Sequence, residues 1–352
     1  MKEELLSVLA EPVTGRPLDL EVIERRDGDV WEGRLRPVGA SDRIYTVRCG
    51  IPRFVSDDRY TDSFGLQWNR YSIVQLDSRN GSTESAGRFR NETGWTADAL
   101  DGRWVLDAGC GCGRFAEVAA GLGANVVALD YSSAVEAAAR NLERFPGAHV
   151  VQGDLLAPPF RFGAFDFAYS IGVLQHTPDP SAAVRSIVEL VAPGGSLALT
   201  IYARRWYTRL HAKYLIRPVT RRLPPGRLLG LVRGVMPVAF PVTDALFRVP
   251  GLGSLARFVI PVANYVEKAH FTRAQRYAEA ELDTFDMLSP AYDSPMTPCE
   301  VAVALRGAGA GDLRFLQDAP VNVLARIPGE SVRGPRRGTN ALGLATPSGG
   351  RG

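Results

Sequence analysis

The run Val105-Leu106-Asp107-Ala108-Gly109-Cys110-Gly111-Cys112-Gly113 brings an acid and three alternating glycines to the end of an apolar stretch. A buried strand ending in a carboxylate, then a glycine-rich turn into a helix, lets backbone approach a ligand closely, because glycine has no Cβ and tolerates positive φ. A second apolar strand, Ala124-Asn125-Val126-Val127-Ala128-Leu129, ends in Asp130, seventeen positions past Gly113. A carboxylate at the end of the next strand of a doubly wound sheet can accept both hydroxyls of a ribose. Together the two signals predict a nucleoside site.

The acid ahead of the turn narrows the ligand. A dinucleotide fold writes G-x-G-x-x-G and sets pyrophosphate on the helix N-terminus, where Asp107 would repel it. A carboxylate facing an ammonium is stabilised instead, which favours a nucleoside carrying an amino acid. With these residues the sequence resembles the class I S-adenosylmethionine-dependent methyltransferases, of the methyltransferase type 11 or UbiE-like kind. The resemblance continues through Val151-Gln152-Gly153-Asp154-Leu155, Phe165-Asp166-Phe167-Ala168-Tyr169-Ser170, Leu174-Gln175-His176-Thr177-Pro178-Asp179-Pro180 and Leu190-Val191-Ala192-Pro193-Gly194-Gly195, covering roughly 100 to 202. It implies an α/β fold, a Rossmann-like seven-stranded sheet, with S-adenosyl-L-methionine as cofactor. It further implies that Asp107, Gly109, Gly111, Gly113, Asp130, Tyr131, Asp154, Leu155 and Ser170 hold that cofactor. Asp154 has a second reading, as the cap of its own turn.

Elements on either side must position and cover this core. Residues 1–56 read as a small β-rich module, with strand-like Asp19–Ile23 and Arg43–Val47. The frame from Leu5 to Leu18, closing with Cys49-Gly50-Ile51-Pro52-Arg53-Phe54-Val55, resembles the Trm112-like zinc-ribbon module, with Glu11 and Thr14 where that module has cysteines. A degenerate, metal-free version follows, serving either as a docking or substrate-entry element or as an inert appendage. Residues 57–100 read as a helical segment folded over the cofactor, in which Gln67 and Arg70 are candidates to contact the methionine carboxylate or the acceptor, while Trp68 packs nearby. The core spans 101–202.

From Ala203 to Thr243 there are nine Lys or Arg and no Asp or Glu, interleaved with Trp206, Tyr207, Leu210, Tyr214 and Leu215. This is a basic amphipathic pattern, and 203–285 reads as a helical lid between the fifth and sixth strands. Its basic face is either solvated or a contact for an anionic or lipid-linked acceptor or a membrane surface. Phe285–Ser294 reads as a loop. Thr297 with Glu300 is a capping box opening a helix to Gly307, and Leu313–Leu316 with Val321–Arg326 completes the core as an antiparallel hairpin over 286–328. Residues 329–352 are rich in Gly, Arg and Pro and are expected to be disordered.

Composition sets the outer bounds. The chain has 352 residues, 45% hydrophobic and 22% charged, enough for more than one folded unit, and its net charge of +3 does not by itself argue for nucleic acid. There is no signal-peptide core after Met1 and no charge-free run long enough to span a bilayer. Cys110 and Cys112 are too close for an unstrained disulfide and complete no zinc set, so a reducing cytoplasm is expected, with peripheral contact at the inner membrane face as a variant.

Methyl transfer from a sulfonium mainly needs alignment of donor, methyl and nucleophile, and a hydroxyl acceptor adds a need for a general base. His176, just beyond the fourth strand, is the candidate base, or else it shapes the pocket through a loop hydrogen bond. His211 and His270 are weaker candidates, and Tyr292 and Asp293 could reach the acceptor. The expected activity is O- or C-methylation of a small-molecule, glycan or lipid-linked acceptor, without a metal. The alternatives are an RNA methyltransferase, for which no RNA-binding signature stands out, a non-catalytic cofactor-binding regulator, and an NAD-dependent dehydrogenase. Oligomeric state is left open.

Overall fold

Local turn chemistry organises the start of the chain. The structure, a computed structural model, describes residues 1–39, 43–55, 61–71, 74–268 and 270–329. A short 3-10 turn (Glu3–Ser7) precedes strands β1 (Leu18–Arg26), β2 (Asp29–Pro37), β3 (Tyr45–Arg48) and β4 (Ile51–Arg53). Asp27-Gly28 and Cys49-Gly50 each place two consecutive residues at positive φ, the two-residue geometry that matches the twist of a tight hairpin. Four small helices follow, α1 (Asp62–Arg70), α2 (Asp77–Asn80), α3 (Glu84–Thr93) and α4 (Ala97–Leu100).

The centre alternates strand and helix: β5 (Trp104–Ala108), α5 (Arg114–Gly121), β6 (Asn125–Asp130), α6 (Val135–Leu142), β7 (Ala148–Gln152), β8 (Phe165–Ile171), α7 (Pro180–Leu190) and β9 (Val191–Ile201). β5 and β6 are apolar along almost their whole length because helices cover both faces, as parallel sheets require. Helices α8 (Ala212–Thr220), α9 (Pro225–Leu246), α10 (Leu252–Val259) and α11 (Arg273–Leu288) form the insertion, and α12 (Pro298–Gly307), β10 (Gly311–Asp318) and β11 (Val321–Arg326) close the core. The capping box of Thr297 and Glu300 is present, with Pro298 in the first turn.

Within one 11-stranded sheet the order is β1-β2-β3-β4-β7-β6-β5-β8-β9-β11-β10. From β7 to β9 all pairs are parallel, and β11 lies antiparallel between β9 and β10. This is the Rossmann-like seven-stranded class I arrangement, with the strand order reversing between β5 and β8. The carboxyl ends of β5, β6 and β8 therefore open on a common crevice.

The first 55 residues extend this sheet. β4 pairs in parallel with β7 through Arg53 and Gln152, and Phe54 donates its N–H to Gln152 at 2.8 Å. Leu5, Val8 and Leu9 are buried in the same cluster as Leu129, Val151 and Phe160 of the core. Glu11 ties the opening turn together. Its carboxylate accepts from the Val13 N–H (3.0 Å), the Thr14 N–H (2.5 Å), the Thr14 hydroxyl (2.7 Å), Arg43 (3.0 Å) and the Tyr45 hydroxyl (2.7 Å). Burial works against its charge, but the hydrogen bonds from Tyr45, Thr14 and Arg43 outweigh it and hold the carboxyl down at about 2.

Two expectations are corrected. Phe285–Leu288 is not loop but the last turn of α11, so the insertion runs past residue 285. Phe285 and Leu288 are buried on the inner face of that helix, and the irregular segment begins only after Ser289. The run from Ala203 to His211 is not a continuous amphipathic helix either; it holds a short 3-10 turn at Thr208–Leu210, and α8 starts at Ala212. The expected disordered tail lies outside the described residues from 330 onward.

Candidate functional site

The crevice is built from the loop that joins β5 to α5. Gly109, Gly111 and Gly113 stand at φ of 92°, 53° and 87°. A Cβ on Gly109 would lie 2.3 Å from Val173 Cγ1, and one on Gly111 would lie 3.0 Å from Trp68 Nε1. These two glycines are thus required both by backbone conformation and by close approach. The N–H groups of Gly109 and Cys110 converge on the Leu129 carbonyl at 2.8 and 2.9 Å, which anchors the loop to β6. Gly113 caps the N-terminus of α5 and backs onto Leu142, so it shapes the turn without lining the crevice.

Two carboxylates flank this loop. Asp107 is 2% exposed, and its Oδ2 has no hydrogen-bond partner; neither does the hydroxyl of buried Tyr169. Burial pushes the Asp107 carboxyl up to about 8, with Asp130 adding to the rise. Ser170 sits beneath, donating its hydroxyl to the Ala108 carbonyl at 2.7 Å, so it fixes the strand end. Asp130 accepts from the Gly111 N–H (2.9 Å) and from the Ser132 N–H (2.9 Å) and hydroxyl (2.7 Å). These bonds orient its carboxylate at the carboxyl end of β6.

A cavity of about 1110 Å³ opens above the loop. Of the residues singled out from the sequence, Gln67, Gly109, Gly111, Asp130, Tyr131, Leu155 and His176 line it. Both amide atoms of Gln67 are buried without a hydrogen-bond partner. Trp68 also lines the cavity, with its indole against Gly111. Asp107, Gly113 and Ser170, placed above, do not line it, and neither do Arg70 and Asp154. Arg70 is exposed at the last turn of α1 and does not border the cavity. Asp154 accepts from the Leu156 N–H at 2.8 Å, as a turn cap does, and borders a smaller cavity of about 440 Å³ beside Tyr131 and Tyr45.

The cations at the cavity are others. Arg114 lines it, held by the Ser85 hydroxyl and the Gln75 side-chain carbonyl, each at 2.9 Å. Burial pushes its guanidinium down from the ordinary value, and among the described residues it forms no ion pair. Arg88 also borders the space, paired with Glu92 at 2.6 Å.

His176 is 9% exposed, and its Nδ1 lies 3.0 Å from the Tyr292 carbonyl. A carbonyl only accepts, so the neutral ring carries its proton on Nδ1 and leaves Nε2 as the acceptor. Phe64 and Tyr202 pack around the ring, at centroid distances of 5.3 and 5.6 Å. His211 lies instead against Phe258, and His270 is 3.0 Å from Glu84; neither lines the cavity.

The insertion supplies the roof. On α11, Glu279, Asp283 and Asp286 recur at i, i+4 and i+7 and face the cavity, a polar stripe at helical spacing that the sequence displays but that its basic neighbourhood obscured. Burial pushes Asp283 up to about 7, against a hydrogen bond from Tyr265 and with Asp286 adding to the rise. Lys213 pairs with Asp293 at 3.0 Å and Lys268 with Glu279 at 2.7 Å, yet Asp293 Oδ1 and Glu279 Oε2 remain buried without partners. Among the described residues no group of three or more His, Cys, Asp and Glu is placed to hold a metal ion.

Residues 106–199 match the family described as methyltransferase domain. Over 130 residues the chain is 34% identical to the ubiquinone biosynthesis O-methyltransferase of Pseudomonas aeruginosa, covering 36% of this chain and 56% of that one. It is 36% identical over 132 residues to the ubiquinone biosynthesis O-methyltransferase of Xanthomonas euvesicatoria pv. vesicatoria, covering 36% and 54%. The chain thus spans little more than half the length of these curated relatives. Among solved structures, an S-adenosylmethionine-dependent methyltransferase from Mesorhizobium loti is 30% identical, with 30% and 49% coverage and a TM-score of 0.28. One from Methanosarcina mazei is 16% identical, with 66% and 95% coverage and a TM-score of 0.39.

Proposed function

We propose that this chain, whose residues 106–199 form a methyltransferase domain, is an S-adenosylmethionine-dependent methyltransferase acting on the hydroxyl of a small molecule. The observation that carries the reading is the buried, partnerless oxygen of Asp107 beside the glycine loop, with Asp130 set at the end of the next strand. A lone buried carboxylate is costly, and a ligand ammonium placed against it would remove that cost.

The residues present fit the cofactor. Asp107 would hold the ammonium, and Asp130, presented by its loop bonds, the ribose hydroxyls; Tyr131 and Leu155 would flank the base. Gln67 and Arg114, rather than exposed Arg70, would hold the methionine carboxylate, since Arg114 brings to the cavity a guanidinium without an ion pair among the described residues. When bound, the cofactor supplies a methyl on a sulfonium, already electrophilic. The protein then has to align the acceptor and take up its proton. His176 Nε2 is the acceptor for that proton, with Nδ1 tied to the Tyr292 carbonyl so that the tautomer is fixed. The partnerless oxygens of Asp293 and Glu279 call for donors on the acceptor, as hydroxyls are. A glycan- or lipid-linked acceptor satisfies the same demand.

Release of S-adenosylhomocysteine against a panel of small phenols and polyols tests the reading. On any acceptor that turns over, His176→Ala is expected to lower kcat by about 10²–10⁴-fold while cofactor binding holds. Unchanged kcat in that variant removes His176 from the chemistry.

A further inference from the structure

We propose that the lid formed by the insertion docks in the plane of a membrane bearing anionic lipids. Three of its helices present apolar stripes to solvent. On α9, Leu231, Val235, Val238 and Val242 recur at i, i+4, i+7 and i+11 and are 48–69% exposed. Leu215 and Val219 do the same on α8, as do Leu252, Leu255 and Val259 on α10, and Trp206 at the start of the insertion is 88% exposed. Scattered exposed aliphatics are ordinary, but helical stripes repeated on successive elements mark an interaction surface.

The opposite face of α9 decides how it meets a bilayer. This helix is long and apolar enough to cross one, with a mean hydropathy of 1.3. Its Leu228, Val232, Met236 and Phe240, however, are packed against Leu282 and Phe285 of α11. Leaving that core to span would expose both sets, so the helix lies along the surface, inner face in the protein and outer face toward the acyl boundary.

Charge selects the occupant. Between Ala203 and Thr243 there are nine Lys or Arg and no Asp or Glu. Arg205, Arg209, Arg221, Arg222 and Arg227 are exposed, and among the described residues none of them forms an ion pair. Two copies of the chain joined through this face would set these cations against one another. An anionic lipid surface neutralises them while burying the aliphatic stripes. The inference stands whether or not the cavity transfers a methyl group, although the docked lid is also the roof that supplies Lys213 and Asp283 to it.

The test is co-sedimentation of the full chain with vesicles of phosphatidylcholine alone or with about one-third phosphatidylglycerol. The bound fraction is expected to be at least ~10-fold higher on the anionic vesicles and to fall as salt rises. Leu231→Glu with Val235→Glu should abolish binding, and Arg221→Glu with Arg222→Glu should weaken it, both without changing the melting temperature. Failure of the wild-type chain to sediment with anionic vesicles, or undiminished binding by the Leu231/Val235 variant, overturns the proposal. So does a dimer in analytical ultracentrifugation that this variant converts to monomer, since the face would then belong to a second copy.

Discussion

At the scale of single residues, Asp107 sets a proton linkage. In the free protein its carboxyl is held at about 8, so at neutral pH it carries a proton. An ammonium beside it stabilises the ionised form, so cofactor binding below pH 8 should release that proton. Affinity is therefore expected to rise with pH up to about 8 and then level off. Calorimetry in two buffers of different ionisation enthalpy measures the release, which Asp107→Asn should abolish. The same raised value acts on stability with the opposite slope. The folded state keeps the proton that the unfolded chain loses near 4, so this contribution is full below that pH and is lost as pH climbs toward 8. Thermal melts of the free protein across that range should show the loss, and Asp107→Asn should flatten it.

Much of the site at this scale was legible in the sequence. Asp107, the glycines and Asp130 are fixed by strand ends and a turn, and these follow from apolar runs and glycine spacing. Arg70 and Asp154 do not border the large cavity, since which side chains reach it depends on packing and turn closure, which spacing alone leaves open. Arg114, immediately after the glycine loop, lines the cavity instead, and its inward course depends on Gln75 and Ser85 from distant chain.

At the scale of elements, Glu11 illustrates how one side chain organises a turn. It collects five donors from two stretches of chain, Val13 and Thr14 in its own turn and Arg43 and Tyr45 at and beside the start of β3. Glu11→Ala leaves those donors unmatched and should cost about 2–3 kcal/mol in denaturant unfolding. Its carboxyl is held near 2 against an ordinary 4.5. Its stabilisation is therefore complete above about pH 4.5 and is lost as pH falls through about 2, and Glu11→Gln should remove that acid dependence. The central strands were readable because strands buried on both faces are continuous apolar runs. The addition of β1 to β4 to the same sheet was not, since β4 joins β7 through backbone at Arg53 and Gln152 and leaves no side-chain pattern.

At the scale of the whole molecule, the opening 55 residues, the core and the lid share buried surfaces. Leu5, Val8 and Leu9 pack with core aliphatics, and Tyr71, just after α1, lies in the lid's own cluster beside Leu228 and Phe285. Tyr71 also bridges to Arg233 at 3.0 Å, which pairs with Glu281 at 3.0 Å. Deleting residues 1–55 would bare the β7 edge and the apolar patch beneath it, so the shortened chain should aggregate. Light scattering during expression and refolding checks this, and a soluble, cooperatively melting fragment would show the extension to be dispensable.

The central claim is that the crevice above the glycine loop holds S-adenosylmethionine. Calorimetric titration of the full chain with S-adenosylmethionine, S-adenosylhomocysteine and NAD, beside Asp130→Ala, tests it most directly. The account predicts saturable binding of the first two, loss of at least ~10-fold in affinity in the variant, and no heat with NAD. Tight NAD binding with no response to S-adenosylmethionine would contradict it and assign the crevice to a dinucleotide.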